Sequence, residues 1–382
     1  MNIKRSLKKL FRKRSAGDNG YLINLYQTNY ERRVLISYII GPFLGANGFM
    51  HQNYITSHIV AESFSELGYD VDIVEYSAKG LNIAYENYAV IFGMGENFER
   101  SFYHPARSIR RIHLITGAHD DFHNAMSLKS VKDFYELSGL WLTREANVQP
   151  TCNYYAMFNA DAAIILARGT IFEDCNARFV NKLYPLNNNI LGVFSTLAPK
   201  TVESRTSSFL FLSGGRQITK GLHLLMEVAR TRKDLKFYVV VPSIDADLRD
   251  HYLDLLEEGS NVRLFERLRM DSEQIKDILA ACSYSIAPSY VDGLPGGTIE
   301  PMSAGLIPIV SKHCGFASEK FIFEMEDLSA VALENTINRV LELKDLEFAE
   351  LSRQVKKYAI DNFSPSCVKQ ELMGILKSEQ LN

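Results

Sequence analysis

Short apolar runs alternate with amphipathic stretches along almost the whole chain, and this alternation constrains the fold more than any other feature. In the second half the runs lie near 208–213, 236–241, 261–265, 284–287 and 307–310, with helical patterns near 220–232, 246–258, 272–281 and 298–305 between them. A strand that is apolar on both faces must be covered on both, so the pattern predicts parallel sheets sandwiched by helices. The first half carries a similar set at 34–40, 70–75, 88–93, 111–116 and 162–167, with a helix over His51–Leu67. Two sets of this size in 382 residues predict two doubly wound α/β domains. The boundary falls between Asn187 and Ser208, where three consecutive Asn, Pro199 and a Thr/Ser-rich segment interrupt the pattern. The reading is therefore a first domain over 21–198 and a second over 199–364. Helices follow at 327–343, 346–362 and 365–378, and the final segment, 365–382, is expected to cross back to the first domain.

Charge adds a local feature at the start. The chain has 42 basic and 45 acidic residues, a net charge of −3. Seven of the cations (Lys4, Arg5, Lys8, Lys9, Arg12, Lys13 and Arg14) lie in the first fifteen residues, which hold no acid. The remainder has 42 − 7 = 35 basic against 45 acidic residues, a body at −10 that is unsuited to nucleic acid, whose phosphates need a basic face. Within the basic segment, 1–20, the side chains Ile3, Leu7, Leu10 and Phe11 fall at helical spacing. An amphipathic helix on an anionic membrane surface through residues 1–15 is one reading; a plain basic tail and a nucleic-acid arm are the others. No apolar core follows the charges, so a secretory signal is not indicated. Val34–Met50 lacks ionised residues, but its seventeen positions are interrupted by Gly41-Pro42, Gly45, Asn47 and Gly48. That is too short and too broken to span a bilayer, and reads as a buried strand running into a glycine loop. Five cysteines, odd in number and without metal spacing, suggest neither disulfides nor zinc. A cytoplasmic location is expected, with contact on the inner face of the cytoplasmic membrane if the first reading of residues 1–15 holds.

In open parallel sheets, ligands bind beyond the carboxyl ends of the strands, so the loops there carry the chemistry. After the strand at 209–213 comes Gly214-Gly215-Arg216-Gln-Ile-Thr-Lys220-Gly221 and then a helix. Glycines let backbone approach a ligand, free amides at a helix start favour an anion, and two cations suit a diphosphate. The bland alternative is a glycine turn with a surface lysine. The spacing is not that of a Walker loop, since Thr219 precedes Lys220. A second stretch, Ala287-Pro-Ser-Tyr-Val-Asp292-Gly-Leu-Pro-Gly296-Gly297-Thr298-Ile-Glu300-Pro-Met-Ser-Ala-Gly305-Leu-Ile-Pro308, places two acids around a Pro-Gly-Gly turn at the end of a strand. One carboxylate can meet one end of an extended ligand while amides at 296–298 meet an anionic middle.

This stretch resembles the signature of the retaining GT-B glycosyltransferases of glycosyltransferase family 4 (group 1 type), in which an acid, seven residues and a Glu lie within PSxxEGxPxxxxEAMAxGxPxV. GGRQITKGLHLLMEVA resembles the Gly-Arg…Lys-Gly segment of the same family. Asp292 stands where Glu is usual, and Pro301 where Ala is common. The resemblance implies a GT-B fold, two Rossmann-like domains facing across a cleft, with the second domain binding a nucleotide sugar and the first an acceptor. It implies that Arg216 and Lys220 hold the diphosphate and that Glu300 accepts hydrogen bonds from the ribose. It assigns Asp292 to the donor sugar, Gly296, Gly297 and Thr298 to the turn beneath it, and the backbone at Arg267 and Leu268 to the base. No metal and no further cofactor are implied, because cations and amides stabilise the leaving diphosphate.

In the first half, Gly117-Ala-His119-Asp120-Asp-Phe-His123 resembles the histidine loop of the same family, which makes His119 a candidate catalytic residue with Asp120 to orient it. A half-buried structural histidine is the other reading of His119 and the favoured one for His123. The loop Gly41–Gly48, with Gly45, resembles the glycine loop that closes over donor phosphates. The expected activity is transfer of a sugar from a nucleotide-diphosphate donor to a saccharide or lipid-linked glycan acceptor, in cell-surface polysaccharide synthesis. A catalytically weak nucleotide-sugar-binding partner subunit is the alternative; it would be expected to lose the phosphate cations or Glu300, and this chain has both.

Overall fold

The computed structural model describes residues 20–45, 51–105, 108–149 and 153–381. The basic segment through residue 19 and positions Asn47 and Gly48 lie outside the described residues.

The first sheet has seven strands in the order β1-β3-β2-β4-β5-β6-β7. These are β1 Tyr21–Leu22, β2 Arg32–Tyr38, β3 Tyr69–Glu75, β4 Val90–Gly93, β5 Arg110–Ile115, β6 Ala162–Ile165 and β7 Lys182–Pro185. All pairs are parallel except β1 with β3, where Tyr21 faces Val74. The second sheet has six parallel strands in the order β10-β9-β8-β11-β12-β13. They are β8 Ser208–Leu212, β9 Lys236–Val241, β10 Val262–Glu266, β11 Tyr284–Ala287, β12 Ile307–Ser311 and β13 Phe323–Met325. The order reverses direction beside β2 in one sheet and beside β8 in the other, and a crevice opens at such a switch point. Both central strands are apolar on both faces, as Val34, Leu35 and Ile36 on β2 and Phe209, Leu210 and Phe211 on β8 are buried. Each sheet is therefore covered on both sides.

Helix α1, Gln52–Glu66, covers the first sheet, and the last long helix, Pro365–Ser378, packs beside it. Val368, Leu372 and Leu376 of that last helix share one buried cluster with Val34, Ile36, Phe64 and Phe92. The final helix thus completes the core of the first sheet. In the other direction Phe134, from helix α2 (Asp120–Ser138), is buried in the cluster built on Phe209, Phe211 and Leu225 of the second sheet.

Several elements differ from the sequence pattern. Helix α2 was absent from it, as was the helix Gly169–Arg178. The single helix expected over 246–258 is broken at Tyr252 into Ala246–His251 and Leu253–Leu256. Tyr252 is fully buried with φ −109° and ψ 23°, and seating its ring in the core interrupts the helical turn. Edge strands β1, β7 and β13 are two to four residues long and were not separable from loop.

Candidate active site

The second sheet presents the carboxyl ends of β8, β9 and β11 to a cleft of about 660 Å³. Its floor is Ser213–Arg216, Lys220 and the turn Pro295–Thr298; its outer wall is Val240–Pro242, Arg267, Leu268 and Met270; the first domain contributes His51, Gln52, Asn53 and Thr116.

The floor is shaped by two glycines that tolerate no side chain. A Cβ on Gly297 would lie 1.8 Å from the carbonyl oxygen of Leu212, so the helix α3, Gly296–Ser303, starts directly against the end of β8. Gly221 has φ +79°, and a Cβ there would lie 2.2 Å from the Pro288 carbonyl oxygen. These contacts bring the loop after β8 and the loop after β11 side by side. The Thr298 and Ile299 amides of α3 donate to the Pro295 carbonyl, and the Gly296 and Gly297 amides ahead of them carry the positive end of the helix dipole toward the cleft. Arg216 and Arg267 both adopt left-handed backbone, φ 56° and 58°. For non-glycine residues this costs about 1 kcal/mol each and is held by the surrounding turns.

The charges converge. Among the described residues, Arg216, Lys220 and Arg267 line the cleft with one acid, Asp292. Lys220 Nζ is ion-paired with Asp292 Oδ2. Arg216 donates to the Arg144 carbonyl of the first domain. Arg144 itself bonds Asp245 and Asp247, and the buried Glu145 carboxylate accepts from the Ile218 amide at 3.1 Å. The loop Gly214–Lys220 is thus braced from across the cleft.

Eight of the residues singled out from the sequence meet in this cleft: Arg216, Lys220, Arg267, Leu268, Asp292, Gly296, Gly297 and Thr298. Three stand outside its lining. Gly45 ends a short turn over Gly41–Leu44 with φ 91°. His119 is buried as the N-cap of α2, its Nδ1 accepting from the Asp121 amide at 3.2 Å and its ring edge against Phe158. Its Nε2 is buried without a hydrogen-bond partner among the described residues, and burial pushes its pKa below the ordinary imidazole value. The expected orienting role of Asp120 is not seen: Asp121 supplies the N-cap bond, while burial pushes the Asp120 carboxyl up to about 6 against the opposing bond from Asn153. Thr116 is the residue of this loop that reaches the cleft.

Glu300 is the third. It is fully buried behind the cleft wall, and Oε1 accepts from Gln52 Nε2 at 3.0 Å and from the Leu191 amide at 2.5 Å. Oε2 has no partner among the described residues. Burial raises its pKa to about 7, opposed by the Leu191 and Gln52 bonds.

His51 and Gln52 were not singled out from the sequence. His51 is the N-cap of α1: its Nδ1 accepts from the Asn53 amide at 3.1 Å, which leaves Nε2 as the ring's other site. Partial desolvation holds its pKa below the usual value, with Asp292 pulling it up and Lys220 pushing it down. The signal for it was a polar residue directly before a helical pattern, the ordinary mark of a cap. His123 is half-buried, with Nε2 2.7 Å from the Asn147 carbonyl.

Residues 195–361 match the family described as glycosyl transferases group 1. No curated protein sequence matches the chain. Among solved structures, sucrose-phosphate synthase from Thermosynechococcus elongatus superposes with TM-score 0.60 at 15% identity, covering 91% of this chain and 99% of that one. Anabaena HepE, in complex with UDP and glucose, superposes with TM-score 0.56 at 12% identity, covering 91% and 99%. The catalytic domain of starch synthase IV from Arabidopsis thaliana, bound to ADP and acarbose, gives 0.56 at 11%, covering 93% and 100%. TarM is a longer chain: the match, with TM-score 0.51 at 14% identity, covers 75% of this chain and about half, 54%, of TarM. At these identities the likeness is one of fold, and the fold is GT-B.

Proposed function

With residues 195–361 forming a group 1 glycosyltransferase domain on a GT-B scaffold, we propose that the chain is a retaining transferase that moves a sugar from a nucleotide-diphosphate donor to a saccharide or lipid-linked glycan. The observation that carries the proposal is the convergence of Arg216, Lys220, Arg267, Asp292 and the start of α3 on one cleft between the two sheets. Three cations and a helix N-terminus suit a diphosphate, and the apolar wall at Pro242, Leu268 and Met270 suits a base.

In this reading the C1–O bond to the diphosphate breaks while Arg216, Lys220 and the α3 amides take up the charge that develops on the leaving oxygen. The acceptor hydroxyl attacks from the same face through an oxocarbenium-like state, and its proton passes to the departing phosphate. Asp292, released from Lys220 as the cation turns to the diphosphate, is left to accept hydrogen bonds from the donor sugar. Glu300 receives the ribose hydroxyls. That the neighbours were captured with UDP or ADP supports a nucleoside diphosphate as the leaving group.

The test is calorimetry with UDP and ADP. Lys220→Ala should weaken the better binder by about tenfold or more, because it removes a cation and leaves Asp292 unpaired beside an anion. Lys220→Ala combined with Asp292→Asn should lose less. Unchanged affinity in Lys220→Ala rejects the site. NMR of the product's anomeric centre reads retention directly.

A further inference from the structure

Glu300 cannot be touched from the cleft as the site stands. Glu300 is 0% exposed, while Gln52, whose amide is bonded to its carboxylate, is 8% exposed and is part of the cleft lining. The amide lies flat on Gly296: a Cβ at that position would fall 2.4 Å from Gln52 Nε2. Any ligand group reaching Glu300 across Gly296 must therefore occupy the place of this amide.

The surroundings separate what can move from what cannot. The Gln52 backbone carbonyl accepts from Asn189 Nδ2 at 3.3 Å and from Thr56 Oγ1 at 3.3 Å, and Thr56 Oγ1 also donates to Asn189 Oδ1 at 2.7 Å. The first turn of α1 is thus fastened to the linker between the domains. Among the described residues, the side chain makes a single hydrogen bond, the one to Glu300. Glu300, by contrast, keeps the Leu191 amide on Oε1 whether or not Gln52 is present, and its Oε2 has no partner among the described residues. Rotation of the Gln52 side chain alone would expose a carboxylate still held in place, with acceptor capacity on both oxygens. A ribose diol offers two hydroxyl donors, one for each.

We propose that Gln52 is the residue that determines which ligands engage Glu300: its amide fills the diol position in the empty protein, and a ribonucleotide binds by displacing it. This rests on the assignment of the ribose to Glu300. It makes Gln52 a positioning residue that filters ligands, since only a group able to replace the lost amide bond gains by moving it. A nucleotide without ribose hydroxyls leaves Gln52 where it is and takes its affinity from the phosphates and base.

The experiment compares the tightest binder among UDP, ADP and GDP with its 2′,3′-dideoxy form, by calorimetry at about pH 8.5, where Glu300 is ionised. It uses wild type, Gln52→Ala, Gln52→Asn and Glu300→Gln. Asn is one methylene shorter, so it tests loss of the bond in a conservative form. Both Gln52 variants should bind the ribonucleotide about threefold to tenfold more tightly than wild type, with dideoxy affinity unchanged, since about one net hydrogen bond no longer has to be broken. Glu300→Gln should lose the preference for ribose. If the Gln52 variants bind the ribonucleotide no more tightly while Glu300→Gln still loses its preference, the displacement is overturned and the ribose assignment stands. If Glu300→Gln keeps the wild-type preference, or none of the three nucleotides binds, the ribose assignment fails and this proposal with it. A nucleotide complex with the Gln52–Glu300 bond intact beside a bound ribose would also overturn it.

Discussion

Glu300 is a carboxyl buried out of reach of water beside the cleft. Burial raises its pKa from 4.5 to about 7. An acid whose folded pKa is raised contributes stability that is present below its unfolded pKa and lost as pH climbs through the folded one. Between about pH 5 and pH 8 the wild type should therefore lose up to about 3 kcal/mol at this site. Glu300→Gln cannot ionise, so the fall should flatten across that window in urea titrations at the two pH values; a parallel fall in both proteins would mean the carboxyl is already charged at pH 5. Ribose hydroxyls favour the charged form, so a ribonucleotide bound near pH 6.5 should expel a proton. Single residues were unevenly legible in the sequence. The place of Asp292 and Lys220 in the cleft was legible, because both lie in loops that follow strands, where a cleft of this fold opens. His119 was legible only as a type: a histidine after a strand serves a cap or a cleft equally well, and which way the ring turns depends on packing against Phe158, a residue far along the chain. Gln52 was not legible at all, since nothing local announces that its partner lies 248 positions away.

Helices and strands were legible where their buried face is apolar and not elsewhere. Helix α2 buries Ser127, Ser130, Val131 and Phe134. Half of that face is serine, whose hydroxyls bond locally: Ser130 Oγ donates to the Ser127 carbonyl and lies 3.2 Å from Thr219 Oγ1 of the second domain. The stripe that marks a helix is thus written in polar letters, and its signals were the two acids of the first turn and Gly139 at its C-terminus. Helix α3 shows the opposite case, a short element whose glycines could be read as a ligand turn but also serve a contact. Its start abuts β8, and Gly297→Ala would place a methyl 1.8 Å from the Leu212 carbonyl oxygen, against backbone that has no room to yield. The variant should lose about 2 kcal/mol from that overlap and bind UDP or ADP more weakly, because α3 must lift its amides off the cleft floor. A melting temperature and nucleotide affinity equal to wild type would show that the element can shift without cost.

At the scale of the molecule, two doubly wound domains were foreseeable from the alternation of strands and helices, and a return of the last segment to the first domain was expected, but the contacts that join the two domains were not legible. The first domain braces the Gly214–Lys220 loop through Arg144 and Glu145, the Arg168 amide donates to the Gly315 carbonyl at 2.7 Å, and a Cβ on Gly293 would lie 2.8 Å from the Gly117 Cα. The last helix then returns to the first sheet, where Leu372 is fully buried. The chain therefore enters the first core at β2 and closes it more than three hundred residues later, so that core cannot be complete until the second domain has been threaded between its parts. Leu372→Ala should cost about 2–5 kcal/mol by emptying a site bounded by helix and sheet. Its place in the chain is the second domain's end, but the loss should appear as faster amide exchange in β2 and α1. The test is hydrogen exchange on wild type and variant: protection lost in 32–66 and retained in β8 and β9 is the expected pattern. Protection lost first in β8 and β9 would mean that the final helix stabilises the second domain instead.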